Sequence, residues 1–223
     1  MTPDGCALAV THDGETAVIL WDLTDPAQPR QLGSPLSSSL TPPDLVAFAP
    51  TGHMLVTTSV NGTALLWDVT DPVRPYPLGP PLTGHDSPVT GAAFAPDGRA
   101  LATGSNDNTT ILWEVTDPAR PRRLGPPLSG HNGQVRSVAF SADGHTLAAG
   151  SVEGATTLWD LTDLAQPRRL GSPLTGHTGT VNSVAFSPTG DTLATGSEDP
   201  DRGPVGRDRP GPPHPPRPTP AQQ

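Results

Sequence analysis

A period of 46 residues runs through this chain and limits what it can fold into. Every tryptophan and every phenylalanine obeys it, at Trp21, Trp67, Trp113, Trp159, Phe48, Phe94, Phe140 and Phe186. Regular spacing on this scale is typical of propellers, solenoids and other arrays of one structural unit. The sequence therefore predicts a repeat protein.

One repeat unit, residues 134–177, reads as four short strands separated by turns. "QVRSVAFS" ends at "ADG", "HTLAAGS" ends at "VEG", and "ATTLWDLT" leads into "PRRLGSPLTGH". Glycine-containing turns between short apolar runs are typical of antiparallel hairpins. Proline is tolerated mainly in edge strands, so the fourth segment is expected on the outside of its sheet. We predict an all-β fold with any helix confined to a turn or two, whose sheets stack on one another.

The motif in residues 84–118, "GHDSPVTGAAFAPDGRALATGSNDNTTILWEVTDP", resembles the WD40 repeat signature. The resemblance covers residues 1–199, and the "TDPARPRRLGPPL" spacer is similar to those of WD40 arrays in large actinobacterial proteins. It implies a partial β-propeller, an open arc of three full four-stranded blades and two partial ones. The blade boundaries expected are a partial blade 1–39, full blades 40–85, 86–131 and 132–177, and a partial blade 178–199.

The resemblance also implies a buried polar network in each blade. It links the histidine of the Gly-His turn, a Ser or Thr of the second strand, an Asp in the next turn and the tryptophan. Carried onto this sequence, the network residues are His85, Ser105, Asp107 and Trp113 in blade three, His131, Ser151, Glu153 and Trp159 in blade four, and His177, Ser197 and Asp199 in blade five. Blade two has Ser39 and Asn61 at the His and Asp positions. Blade one has Thr11, Asp13 and Trp21 with the spacing off by one residue. Because such networks stabilise only when fully satisfied, blades three and four are expected to be the firmest.

The same residues could also be interpreted as a catalytic site or as a metal site. A Ser-His-Asp set is typical of nucleophilic hydrolases, but a set that recurs in every repeat indicates structure rather than one active site. His85, His131 and His177 could suggest metal ligands, yet one histidine per blade separates them by roughly 10 Å. We expect no catalysis, no cofactor and no metal.

Net charge, cysteine content and hydropathy limit the classes of partner and the location that are expected for this chain. The net charge of −9 argues against nucleic acid or an anionic membrane as the main partner. Cys6 is the single cysteine, and no stretch is long and apolar enough for a membrane span. The chain is expected to be soluble and cytoplasmic.

The predicted function is a non-enzymatic protein–protein interaction scaffold or sensor region, as a fragment of a larger WD40 protein. The resemblance implies a partner-binding face for a protein or peptide at Pro88, Thr90, Asn106, Gln134, Arg136, Val152, Thr180, Asn182 and Glu198. Plain solvated surface is the alternative interpretation of these residues. The alternative functions are a non-functional frameshifted remnant and, more distantly, a propeller enzyme. Open terminal blades would favour self-association, whereas closure into a four-bladed ring would prevent it.

Residues 200–223, "PDRGPVGRDRPGPPHPPRPTPAQQ", break the repeat immediately after Asp199. Codons that encode this segment can also encode "RTVVLWDVTDPA" in a shifted frame, which would put a tryptophan at position 205, one period after Trp159. One hypothesis is therefore a frameshifted fifth repeat. The alternative is a genuine Pro/Arg-rich tail with a polyproline ligand. Under both hypotheses the tail is expected to be disordered.

Overall fold

The computed structural model describes residues 2, 4–11, 17–37, 43–131 and 133–199. Every regular element in these ranges is a β-strand, so the all-β prediction is confirmed. The strands are β1 (Ala7–Thr11), β2 (Ala17–Asp22), β3 (Arg30–Ser37), β4 (Pro43–Phe48), β5 (Met54–Ser59), β6 (Ala64–Asp68), β7 (Tyr76–Pro77), β8 (Val89–Phe94), β9 (Ala100–Ser105), β10 (Thr110–Glu114), β11 (Arg122–Arg123), β12 (Val135–Phe140), β13 (Thr146–Ser151), β14 (Thr156–Asp160), β15 (Arg168–Leu174), β16 (Val181–Phe186) and β17 (Leu193–Ser197). The prediction of a disordered segment at 200–223 lies outside the described residues.

The described strands form five antiparallel sheets in chain order. The first sheet is β1-β2-β3, the second β4-β5-β6-β7, the third β8-β9-β10-β11, the fourth β12-β13-β14-β15 and the fifth β16-β17. Three sheets thus have four strands, and two incomplete sheets flank them, as the sequence predicted. The proline-marked segments β3, β7, β11 and β15 each lie at a sheet edge, as expected where a proline, which has no N–H donor, lies in the strand or, for β11, directly before it.

The turn between the second and third strands of a sheet needs a left-handed backbone. Gly62, Asn108 and Gly154 occupy the same repeat position and have φ values of 83°, 68° and 72°. Glycine and asparagine are the residues that adopt this conformation most readily. A Cβ at Gly154 would also lie 2.5 Å from the His177 carbonyl oxygen, so this turn packs tightly beneath the next Gly-His turn.

The hydrophobic core lies between neighbouring sheets rather than within one of them. Four apolar clusters join the first sheet to the second, the second to the third, the third to the fourth and the fourth to the fifth. In the described part of the chain, β16 and β17 pair only with each other and not with β1. The sheets therefore form an open arc, and the alternative of a closed four-bladed ring is not formed.

Candidate functional site

The third sheet contains a continuous chain of four hydrogen-bonded side chains. Trp113 Nε1 donates to Thr103 Oγ1 at 2.9 Å, and Thr103 Oγ1 lies 2.9 Å from His85 Nε2. His85 Nδ1 lies 2.8 Å from Asp107 Oδ2. Because tryptophan can only donate, the consistent assignment has Thr103 donating to Nε2 and His85 donating from Nδ1 to the carboxylate.

Asp107 also fixes the loops around it. Its carboxylate accepts hydrogen bonds from the Asp86 amide at 3.1 Å and from the Thr109 amide and hydroxyl at 2.9 and 2.6 Å. Burial acts to raise the pKa of Asp107, but the hydrogen bonds from Thr109 and His85 outweigh it and hold the pKa below its ordinary value. The ionised carboxylate therefore ties the Gly-His turn to the turn after β9.

The predicted network serines lie elsewhere. Ser105 Oγ donates to the Ser87 carbonyl oxygen at 2.9 Å and accepts from the Asp107 amide at 3.1 Å, whereas Thr103 is the hydroxyl between His85 and Trp113. Ser197 makes the matching bond to the Gly179 carbonyl oxygen. The assignment of Ser105 and Ser197 to the His–Trp link is therefore wrong. The recurrence of Thr57, Thr103 and Thr195 at multiples of 46 residues could have indicated the correct hydroxyl.

The fourth sheet lacks this chain of hydrogen bonds. His131 Nδ1, His131 Nε2 and Trp159 Nε1 are buried and have no partner among the described residues. The hydroxyl is missing because the repeat position of Thr103 is Ala149. Ser151 Oγ bonds to the Ala155 carbonyl oxygen instead, at 3.2 Å.

Glu153, at the position of Asp107, is exposed and does not bond to His131, whose two ring nitrogens have no partner among the described residues. Its side chain is one methylene longer than that of aspartate, which changes where the carboxylate can reach. Burial, assisted by the charge of Arg169, lowers the pKa of His131 to about 4. Blade four therefore lacks the satisfied network on which the expected firmness of blades three and four was based.

The fifth sheet restores most of the network. His177 Nδ1 lies 2.8 Å from Asp199 Oδ2, and His177 Nε2 lies 2.8 Å from Thr195 Oγ1. The hydrogen bond from His177, followed by those from the Thr178 and Gly179 amides, lowers the pKa of Asp199 well below its ordinary range. The predicted pair of His177 and Asp199 is thus brought together.

The first two sheets keep only parts of the pattern. Trp67 Nε1 donates to Thr57 Oγ1 at 3.0 Å, while Asn61 accepts from the Thr63 amide and hydroxyl within its own turn. In the first sheet Leu8 pairs with Trp21, a separation one residue longer than that of the other sheets. This shift agrees with the irregular spacing seen in the sequence. Ser39 and Asp13 lie outside the described residues.

The predicted partner-binding residues come together at the end of the sheets that carries the Gly-His turns. The same backbone hydrogen bond recurs in all three sheets: Asn106 N to Pro88 O, Val152 N to Gln134 O and Glu198 N to Thr180 O, at 3.0, 3.0 and 3.2 Å. Thr90 Oγ1 also donates to the Val135 carbonyl oxygen of the fourth sheet at 2.6 Å. Arg136, Asn182 and Glu198 are exposed and the other six are half-buried. We call these nine residues the rim.

Two clefts lie at the opposite end, between neighbouring sheets. One, of about 400 Å³, separates the third and fourth sheets and is lined by Asp97 and Asp143, among others. The other, of about 440 Å³, separates the first and second sheets and includes Cys6 and His53. Asp97 and Asp143 accept hydrogen bonds from the amides two residues further on, so these carboxylates form turns.

Two kinds of feature are absent from the described residues, a metal site and a membrane-spanning helix. The described residues contain no group of three or more His, Cys, Asp or Glu side chains that could hold a metal ion. No helix in the described ranges has the length and apolar character that crossing a membrane requires.

Comparison with known families agrees with the repeated geometry. The family model "WD domain, G-beta repeat" matches residues 45–68, 78–114, 123–160 and 168–200, which together are more than half of the chain. Two of these matches, 78–114 and 123–160, run from the fourth-strand segment of one sheet through the third strand of the next. Comparison with curated proteins gives no match. The chain therefore belongs to the WD40 family of WD-domain, G-beta repeats.

Proposed function

We propose that this chain is a non-enzymatic interaction module that binds a protein or peptide through the rim. WD40 repeats serve in general as protein-interaction scaffolds, which supports the class of function. The observation that carries the choice of surface is the convergence of the nine rim residues at one end of three adjacent sheets. Exposed Arg136 and exposed Glu198 lie on neighbouring sheets, so the rim suits a partner of mixed charge rather than a phosphate.

The rim is supported by rigid structure beneath it. In the third sheet, Asn106 is adjacent to Asp107, whose carboxylate is held by His85 and by the Asp86 and Thr109 amides. In the fifth sheet, Glu198 is adjacent to Asp199, which is held in the same way by His177 and Thr178. A surface whose backbone is already ordered loses less conformational entropy when a partner binds.

The non-enzymatic assignment rests on the roles of the residues that resemble a catalytic set. His85 and Asp107 are occupied with each other and with Thr103, in a chain that ends on a buried tryptophan. Ser105, the candidate nucleophile, is engaged with the Ser87 carbonyl oxygen. We also infer a cytoplasmic location, since Cys6 is a free, exposed thiol.

The experiment compares two triple variants of the chain in the native host. Each variant is cross-linked to its neighbours, and the cross-linked partner is quantified by mass spectrometry. The rim variant is Arg136→Glu, Asn182→Ala and Glu198→Arg. The matched control, with the same types of change at exposed positions of the opposite end, is Arg99→Glu, Thr116→Ala and Asp191→Arg. We expect the amount of cross-linked partner to fall at least tenfold with the rim variant and to stay unchanged with the control. Equal retention by both variants, with unchanged melting temperatures, would contradict the proposal.

A further inference from the structure

The fourth and fifth sheets contact each other through a glycine that accepts a valine. A Cβ at Gly150 would lie 2.6 Å from Val181 Cγ1 and 3.1 Å from Val184 Cγ1, so only glycine fits there. The same contact joins the third and fourth sheets, where a Cβ at Gly104 would lie 2.5 Å from Val135 Cγ1. The third and fourth sheets thus each offer a glycine socket to two valines, three residues apart, on the first strand of the next sheet.

A side-chain acceptor reinforces the contact between the fourth and fifth sheets. Ser137 Oγ accepts a hydrogen bond from the Val184 amide at 3.2 Å. The two valines of β16 are 0% and 7% exposed, so the fourth sheet buries them almost completely. The contact therefore combines the burial of two apolar side chains with one hydrogen bond to the backbone of the incoming strand.

The fifth sheet carries the same socket and acceptor, and no strand of the described residues covers them. Gly196 and Ser183 stand one repeat after Gly150 and Ser137. Among the described residues, a Cβ at Gly196 would approach only Ser183 Oγ of its own sheet within 4 Å. Ala185 and Ala194 flank them, and all four residues are exposed. We call Ser183, Ala185, Ala194 and Gly196 the open face.

We propose that the open face binds the first strand of a further repeat of this kind on another polypeptide, with the pattern Val-x-x-Val-x-Phe. The pattern is that of β12 and β16, "VRSVAF" and "VNSVAF", which occupy the equivalent face of the sheet before them. The first valine enters the Gly196 socket, and the amide of the second donates to Ser183 Oγ. This surface is separate from the rim.

Two other occupants fit the open face less well. In a second copy of this chain, the valines of β12 and β16 are already buried, at 0–7% exposure, against their own preceding sheets. Residues 200–223 contain a single valine, Val205, and no phenylalanine, so they lack the required pattern.

The test uses the full chain and a fluorescent peptide of residues 178–199, which includes β16, in an anisotropy titration. We expect saturable binding, and at least tenfold weaker binding by a peptide carrying Val181→Asp and Val184→Asp. Gly196→Ala in the chain should weaken binding at least tenfold, because its methyl group occupies the socket. Ser183→Ala should weaken it several-fold. Ser172→Ala, an exposed serine on β15, is the matched control and should change nothing.

Several results would overturn the proposal. One is the absence of binding at about 1 mM peptide. Another is equal binding by the Gly196→Ala chain when its melting temperature matches that of the original. Tighter binding by a chain that ends at Asp199 would make residues 200–223 the occupant. A dimer that Gly196→Ala converts to monomer, measured by sedimentation, would make a second copy the occupant.

Discussion

The third and fourth sheets place a histidine and a tryptophan in equally buried positions, but only the third sheet joins them by hydrogen bonds. His85 and His131 are 9% and 8% exposed, and Trp113 and Trp159 are 5% and 7% exposed. The difference arises from Ala149 and Glu153, which replace the Thr and Asp of the third sheet. The two sheets nevertheless have the same strand order. Apolar packing between sheets is therefore sufficient to set the blade architecture.

A histidine at the expected repeat position can have opposite effects on stability, depending on whether its ring nitrogens have hydrogen-bond partners. A buried polar group without a partner costs about 1–3 kcal/mol, whereas a satisfied one contributes modestly to stability. The same histidine should therefore stabilise the third sheet and destabilise the fourth. Substitutions in one sheet at a time test this difference.

The largest expected difference is between the two histidines. His85→Leu should lower the free energy of unfolding by about 3 kcal/mol, because Asp107, Thr103 and Trp113 lose their connection. His131→Leu should be neutral or stabilising, since an apolar side chain replaces two ring nitrogens without partners. Chemical denaturation of both variants measures the difference. Equal destabilisation by the two substitutions would remove the distinction between the sheets.

A smaller effect is expected from pH. Burial lowers the pKa of His131 from 6.5 to about 4, so the unfolded chain binds more protons than the folded one between these values. His131 therefore costs the fold no additional stability well above pH 6.5, and its cost grows as the pH falls toward 4, by about 2 kcal/mol between pH 8 and pH 5. Denaturation across this range should show a steeper decline for the original chain than for His131→Leu. Parallel pH profiles would refute the prediction.

The smallest effect is expected from restoring the missing groups. Ala149→Thr combined with Glu153→Asp should raise the free energy of unfolding by about 1 kcal/mol, because the hydroxyl can bond to His131 Nε2 and Trp159 Nε1. Ala148→Thr is the matched control. Its added atoms point toward the fifth sheet, where Ala148 is fully buried, and should destabilise by overpacking. A double variant that is less stable than the original chain would contradict the explanation that Ala149 and Glu153 account for the difference between the two sheets.

Some features of the site followed from the sequence and others did not. The pairing of His85 with Asp107 and of His177 with Asp199 was predicted by the resemblance to the WD40 signature, which those residues match. The choice of Thr103 over Ser105 was not resolved, because residues two apart on a strand point to the same face. The register that pairs Leu101 with Trp113 and Thr103 with Ile111 decides which hydroxyl the indole reaches.

The pentapeptide "LATGS" occurs at residues 101–105 and again at 193–197. The two copies distinguish what the sequence determined from what the tertiary structure decided. The composition and flanking turns of the pentapeptide determined by themselves that both copies form the second strand of an antiparallel sheet. All five residues of the first copy are buried, whereas Ala194 and Gly196 of the second copy are exposed. The physical reason is that strand formation depends on local pattern and backbone pairing, but burial depends on whether another sheet covers the face. Val135 and Val138 cover Gly104, and the described residues place no such valines on Gly196.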